Sequence, residues 1–371
     1  MGERLNHIVG PAGEPPPPDL SVAVGPLRLK NPVVAGSCEL TMTEEGICAC
    51  LDAGAGAVVA KSVNEVPAAA RQLRNAAYVQ VTPDRSILPW AEASVADSLF
   101  CRSGLAPQGL DDWLGLLGRC QARARGLGAT VIGSITVAEA APAAGIAERL
   151  ASVVPCVELN LGAPHGRETA PGVICLVGTP EGVAHYTSAV RAVTDGGLIV
   201  KLTSQASDVV ALAQAALDAG ADAVTLMGRY GGFLPDIETW EPILGSWGAI
   251  GGRWALPLSL YWVSKCFRSL PSASALIGTN GARDGFDVVR FLLSGARAVE
   301  LASLPMLKGA SALSACIEQL QAYLLARHLE TVEPLIGESA RRTRTYEEID
   351  ASSSNTAHLW SEAPWQWSEA Q

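Results

Sequence analysis

Eight short apolar runs, each followed by an Ala- and Leu-rich stretch of helical length, constrain this chain more than any other feature. They fall at 33–36 (VVAG), 57–61 (AVVAK), 129–135 (ATVIGSI), 155–160 (PCVELN), 198–203 (LIVKLT), 222–227 (DAVTLM), 274–278 (SALIG) and 297–301 (RAVEL). The runs are apolar throughout rather than alternating, which suits strands buried on both faces of a parallel sheet. Helix signals punctuate the segments between them. Thr41 or Thr43 opens 43–53, Ser207-Asp208 opens 207–219, and Asp284 opens 284–294. A phrase made of a helix end, a Gly and a new strand recurs as DAGAGAVV, DAGADAVT and LSGARAVE. The Gly in each stops the helix just before the strand begins. Eight β/α units in series predict an α/β fold, a closed (β/α)8 TIM barrel, with a doubly wound open sheet as the alternative.

Two insertions break the rhythm, at about 63–108 after strand 2 and about 228–255 after strand 6. Both follow strand C-terminal ends, the face on which barrel enzymes carry their sites. Residues 1–20 read as a Pro-rich arm, 21–328 as the barrel, and 329–371 as a polar C-terminal extension containing Trp360, Trp365 and Trp367. The net charge of −10, without a Lys/Arg cluster, argues against a nucleic-acid partner. The chain has neither an apolar leader nor a membrane-length apolar run, so the expected location is cytoplasmic. Nine Cys in a chain of this size read as reduced core thiols rather than a disulfide framework, and no metal site is expected.

The strongest local chemistry lies at the last two strands, which end in Gly278-Thr-Asn-Gly281 and Leu301-Ala-Ser303. Bare backbone N–H groups there suit a phosphate, although two ordinary tight turns would look the same. Lys61 and Lys201 sit at the ends of otherwise apolar strands. A lysine in a barrel mouth calls for an anionic ligand or an internal salt bridge, for which Glu158 and Glu300 are candidates. Asn160 ends strand 4 in the same layer, where its amide can read a heterocycle edge.

Six segments, in order, resemble the FMN-binding barrel of the dihydroorotate dehydrogenases. They are Asn31-Pro-Val-Val-Ala-Gly-Ser37, Lys61-Ser62, Glu158-Leu-Asn-Leu-Gly-Ala-Pro-His165, Lys201-Leu-Thr203, Gly248-Ala-Ile-Gly-Gly252 and Gly278-Thr-Asn-Gly281. Residues 160–168 are also similar to the pyrimidine-reducing domain of dihydropyrimidine dehydrogenase. The resemblance implies that Ala35, Gly36 and Ser62 line FMN. It places Lys61 and Lys201 against the flavin ring and Asn160 at flavin or substrate. Gly251, Gly252, Gly278, Asn280, Gly281, Ala302 and Ser303 would hold the phosphate. It also implies a homodimer. With no ferredoxin-type Cys run, the redox partner stays unidentified.

The substrate half departs from the family pattern. The family's acid/base Cys or Ser falls on Ala163, which transfers no proton. Its pyrimidine-gripping pair falls on Gly228-Arg229, and its insertion motif reads Cys101-Arg-Ser-Gly-Leu105. Cys175 and His165 are the candidates to replace the base. Cys101, Ser103, Gly104, Leu105, His165 and Arg229 are expected at the substrate, with Arg229 suited to an anionic or carbonyl oxygen. The expected function is an FMN-dependent oxidoreductase. It would move hydride between flavin and a C–C or C–N bond of a small cyclic substrate other than dihydroorotate. The alternatives are a non-redox lyase or isomerase using a barrel lysine, and a catalytically altered flavin-binding subunit.

Overall fold

A computed structural model describes residues 16–64, 72–92, 98–162, 177–272 and 274–349. Among the described residues, fifteen strands, numbered in chain order, form three sheets. The central one contains β3 (Val33–Ala35), β4 (Ala57–Val59), β8 (Thr130–Thr136), β9 (Cys156–Asn160), β10 (Gly197–Lys201), β11 (Ala223–Leu226), β14 (Ala275–Thr279) and β15 (Ala298–Leu301). Each pairs in parallel with its successor, and Val299 of β15 pairs with Val33 of β3. That last pairing closes the sheet into an eight-stranded barrel and excludes the open doubly wound alternative.

The helices begin and end where the local chemistry predicts. Helix α1 (Glu44–Asp52) starts at Thr43, whose hydroxyl accepts the Gly46 N–H at 3.1 Å. Helices α2 (Leu110–Gly126), α3 (Ala140–Ala151) and α4 (Pro180–Arg191) follow. Asp208 caps α5 (Val209–Asp218), and α6 spans Leu256–Ser269. Asp284 caps α7 (Gly285–Ser294), which stops at Gly295 with φ 113°. Only a residue without Cβ takes that conformation cheaply. Short α8 (Ser303–Lys308), then α9 (Ser311–Ala326) and α10 (Glu338–Arg341), complete the set. Helix α7 packs against the end of β14 through Phe291, which is fully buried. A Cβ on Gly278 would stand 2.2 Å from the Phe291 ring. Gly278 is therefore a packing glycine, and burying the Phe291 side chain contributes about 2–3 kcal/mol.

Three features were not legible beforehand. A hairpin of β1 (Val22–Val24) and β2 (Leu27–Leu29) packs Val22, Val24 and Leu29 into the core. Its turn residue Gly25 abuts Asp222, just before β11, which places the hairpin at the N-terminal mouth of the barrel. The two insertions pair with each other rather than remaining as separate loops. Strands β12 (Tyr230–Gly232), β13 (Gly248–Gly251), β7 (Ser98–Arg102), β5 (Ala77–Val81) and β6 (Ile87–Leu88) form one antiparallel sheet in that order. Lastly, residues beyond 328 continue onto the barrel. Val332, Leu335, Ile336 and Ala340 are buried, and the Gly337 N–H donates to Leu292 O at 2.8 Å. Asp19, assigned above to the N-terminal arm, bridges Thr331.

Eight of the nine cysteines are described; all are free, and all but Cys48 are buried. Among the described residues no cluster of three metal-ligating side chains occurs, and no helix is long and apolar enough to cross a membrane.

Candidate functional site

The C-terminal ends of the strands and the antiparallel sheet enclose a cleft of about 980 Å³ that is open to solvent. Its floor comes from the barrel and its roof from the insertions. On the roof, Tyr78 of β5 stands opposite Cys101 of β7, and Cys101 stands opposite Ala249 of β13. This cross-strand row carries two insertions, far apart in sequence, over one opening.

At one end of the cleft lie Asn280, Gly281, Ala282, Arg283, Ala302 and Ser303. Asn280 and Gly281 both have positive φ, 66° and 105°. The Asn280 side-chain amide donates to Gly228 O at 3.1 Å, tying the strand β14 loop to the loop after β11. A Cβ on Gly251 would come within 2.8 Å of Asn280 Oδ1, so a bare backbone is required there too. The Arg283 guanidinium, 5% exposed, donates to Ser303 Oγ at 2.6 Å. Burial lowers Arg283 to about 10 although the Asp287 charge opposes it, and the nearby Arg253 adds to the lowering, so the group stays cationic at neutral pH. A buried cation beside a hydroxyl and bare backbone is a donor set that fits a phosphate. Arg283 escaped the sequence reading because Asp284 and Asp287 follow it closely and suggest an ordinary helix-start ion pair. In the fold, Asp287 instead accepts the Arg283 backbone N–H and the Arg290 side chain.

The cleft floor holds a polar chain. Ser62 Oγ lies 2.8 Å from Ser134 Oγ, which donates to Glu158 Oε1 at 2.9 Å. Lys201 Nζ is 3.6 Å from Glu158 and forms a closer ion pair with Glu300, which also accepts from Thr225 at 3.0 Å. Burial pushes Glu158 up to about 8, and repulsion from Glu300 adds to it. Burial alone would lower Lys201, but the two carboxylates outweigh it and raise its pKa. Lys201 thus has carboxylate partners within the protein, the alternative weighed for it from sequence. The Ser62 hydroxyl is likewise engaged below the cleft, where Ser62 is 4% exposed.

Toward the mouth, Lys61 Nζ donates to Glu39 Oε1 at 2.6 Å. Burial would raise Glu39, but Lys61 outweighs it and holds the carboxyl below its usual range. Arg229 turns its guanidinium to Cys101 Sγ and to Ser103 Oγ, the latter at 3.0 Å. The Tyr78 hydroxyl is buried beside Glu39 and Arg229; burial, and then the Glu39 charge, push it up, so it keeps its proton. Glu39 and Tyr78 carried no sequence signal, because each meets its neighbours only through the fold.

The expected residues therefore divide. Lys201, Asn160, Lys61, Gly251, Asn280, Gly281, Ala302, Ser303 and Arg229 line one cleft. Asn160 Oδ1 is used locally, accepting the Gly162 N–H at 3.0 Å. Ala35 and Gly36 lie beneath it, with the Gly36 N–H donating to Leu301 O at 3.0 Å, and a Cβ on Gly252 would meet Ser98 Oγ at 2.8 Å. Cys101 is a buried roof residue that contacts Arg229. Gly104 and Leu105 serve packing: a Cβ on Gly104 would stand 2.4 Å from Leu73 Cα, and Leu105 is 1% exposed. His165, Cys175 and Ala163 lie outside the described residues.

Fold and cleft together define a (β/α)8 barrel protein with a cleft at its C-terminal strand ends. The dihydroorotate dehydrogenase family model matches residues 19–324, and the chain belongs to that family of oxidoreductases, which act on a CH–CH bond. It is 31% identical over 320 residues to the catalytic subunit of dihydroorotate dehydrogenase B (NAD(+)) of Pyrococcus abyssi, covering 86% of this chain and 98% of that protein. Proteins of the same description from Methanothermobacter thermautotrophicus and Thermococcus kodakarensis are 29% and 30% identical. They cover 86% of this chain and 97% of their own lengths.

Proposed function

We propose that the chain is an FMN-dependent oxidoreductase that moves hydride between flavin and a C–C or C–N bond of a small cyclic substrate other than dihydroorotate. The observation that carries the FMN assignment is the Arg283–Ser303 pair beside Gly281, a charged phosphate seat at the end of a cleft whose other end holds Lys61, Lys201 and Asn160. Bound flavin would supply the two-electron chemistry. Arg283, Ser303 and the backbone of 281–282 would hold its phosphate, while Lys201 and Asn160 would orient the ring. Lys201, held cationic by Glu158 and Glu300, supplies positive charge at the cleft floor without itself being a nucleophile. That state counts against the Schiff-base lyase reading, which needs a neutral amine.

The substrate differs because the groups facing the mouth are Glu39, Tyr78 and Arg229 rather than the family's amides. Cys175 or His165 is proposed to handle the proton, in place of the family's Cys or Ser at Ala163. The relatives' designation as a catalytic subunit favours a second, different polypeptide as electron carrier. The homodimer expected from the resemblance finds no support in these names. The likeness of residues 160–168 to dihydropyrimidine dehydrogenase supports a cyclic substrate.

The test is anaerobic. FMN-loaded protein is mixed with a panel of cyclic dihydro compounds that includes dihydroorotate, and flavin absorbance is followed. Bleaching by a member other than dihydroorotate supports the proposal. Bleaching by dihydroorotate alone would restore the family's usual substrate.

A further inference from the structure

Away from the cleft, one seam of the outer helical layer carries two facing thiols. Glu44, Cys48 and Asp52 recur every four residues along α1, which puts them on one stripe. That stripe packs against α2, where Arg119 donates to Glu44 at 2.6 Å and Arg123 to Asp52 at 2.7 Å. The two ion pairs run in the same direction along both helices. The level of Cys48, midway between its acids, therefore meets α2 between the two arginines. Cys120 lies there, and its thiol is in hydrogen-bond contact with that of Cys48. Burial, and then Cys48, push the Cys120 thiol up to about 12. Cys120 is 1% exposed, whereas Cys48 is the one described cysteine that is not buried. Solvent thus reaches one member of the pair and not the other. Cys50 also approaches a thiol, that of Cys38, but both are closed to solvent.

We propose that Cys48 and Cys120 form an oxidant-responsive thiol pair, which hydrogen peroxide converts to a disulfide that staples α1 to α2. Attack begins at the accessible Cys48. Its thiolate sulfur takes one peroxide oxygen, the O–O bond breaks, and a sulfenic acid and hydroxide result. The Cys120 sulfur then attacks the sulfenic sulfur; the S–S bond forms and the S–O bond breaks. Two thiols and one peroxide thus give one disulfide and two waters, the sulfurs being oxidised and the peroxide reduced. The bond ties together the ends of segment 48–120, which carries Lys61 and the roof strands β5, β6 and β7. A cross-link that closes so long a segment restrains the unfolded chain and raises thermal stability. Neither cysteine lines the cleft, so the inference is independent of the flavin reading.

The test uses the full-length protein, reduced, desalted and exposed to a modest excess of hydrogen peroxide. Remaining thiols are blocked with N-ethylmaleimide, and unreduced tryptic peptides are mapped by mass spectrometry. Peptide 120–123 is expected joined to peptide 31–61, and dithiothreitol should separate them. Peptide 31–61 also holds Cys38 and Cys50, so variants assign the bond. Cys48→Ser and Cys120→Ala should abolish it, and Cys50→Ser should leave it intact. The oxidised parent should melt about 2–5 °C above the reduced one, and the difference should vanish in Cys48→Ser. Cys48→Ser alters a half-buried side chain and keeps the test decisive if Cys120→Ala fails to fold. Peroxide that leaves 120–123 unlinked, or carries Cys48 to a sulfinic acid without a link to Cys120, overturns the proposal. So does a link that persists in Cys48→Ser, or an oxidised chain that melts with the reduced one.

Discussion

Lys201 and Glu300, 99 positions apart in the chain, form an ion pair inside the barrel mouth, and the same ammonium lies 3.6 Å from Glu158. Both carboxylates are almost wholly buried, at 0% and 1% side-chain exposure. One cation thus serves two acids, and Glu158 takes the consequence: burial first, and then Glu300, raise it to about 8.

This predicts a particular pH dependence of stability. A carboxyl raised from 4.5 to about 8 binds its proton more tightly in the folded chain than in the unfolded one. Its stabilising contribution is full below pH 4.5 and is lost as pH rises through about 8. The slope attributable to this group is at most about 1.4 kcal/mol per pH unit. Thermal melts of the unliganded protein between pH 6 and 9 should show a falling Tm. Glu158→Gln should flatten that fall; an equal slope in the variant assigns the effect elsewhere.

Lys61→Met should remove the ion-pair partner of Glu39, leaving a largely buried carboxylate without its nearest counter-charge. Breaking a buried pair this way costs about 3 kcal/mol, and Glu39→Gln in the same chain should recover most of it. Urea denaturation of the two single variants and the double variant measures the coupling. Purely additive losses would show that the 2.6 Å contact contributes nothing.

Arg283→Gln should weaken FMN binding by about 10- to 100-fold while leaving riboflavin binding unchanged, because the guanidinium acts on the phosphate alone. Fluorescence titration with both flavins measures the ratio. A parallel loss for riboflavin would mean that Arg283 merely supports the loop.

At Gly281, φ is 105°, and a Cβ would stand 2.4 Å from the Leu256 backbone nitrogen. Gly281→Ala should therefore destabilise the chain by about 1–3 kcal/mol and disturb the phosphate seat. Thermal melts with and without FMN separate the two effects. A variant as stable as the parent would contradict the close approach.

The barrel was legible because its signals are local. Apolar runs, Thr43, Asp208 and Asp284 as caps, and Gly295 as a stop each act within a few residues, and all appear in the fold. Lys61 and Lys201 were found from the cost of a lysine in an apolar strand. The residues they meet divide along the same line. Glu158 and Glu300 lie on apolar strands and could be paired with Lys201 in advance, whereas Glu39 sits in a short 3-10 turn with no pattern around it. Tyr78 joined the site only when β5 paired with β7, and β7 with β13, across about 150 residues of sequence. Short strands with few apolar residues carry no periodic signal strong enough to reveal such pairing. Arg283 was hidden for a different reason: nearby acids look like its partners in sequence, but the helix N-terminus uses them.

FMN binding by this barrel is read from the visible spectrum of the purified full-length chain titrated with FMN. Saturable, one-to-one uptake is expected, with a shifted and sharpened flavin absorbance that survives desalting and bleaches on anaerobic reduction. A protein that stays colourless after reconstitution, with no change in FMN absorbance or fluorescence at any ratio, would contradict it.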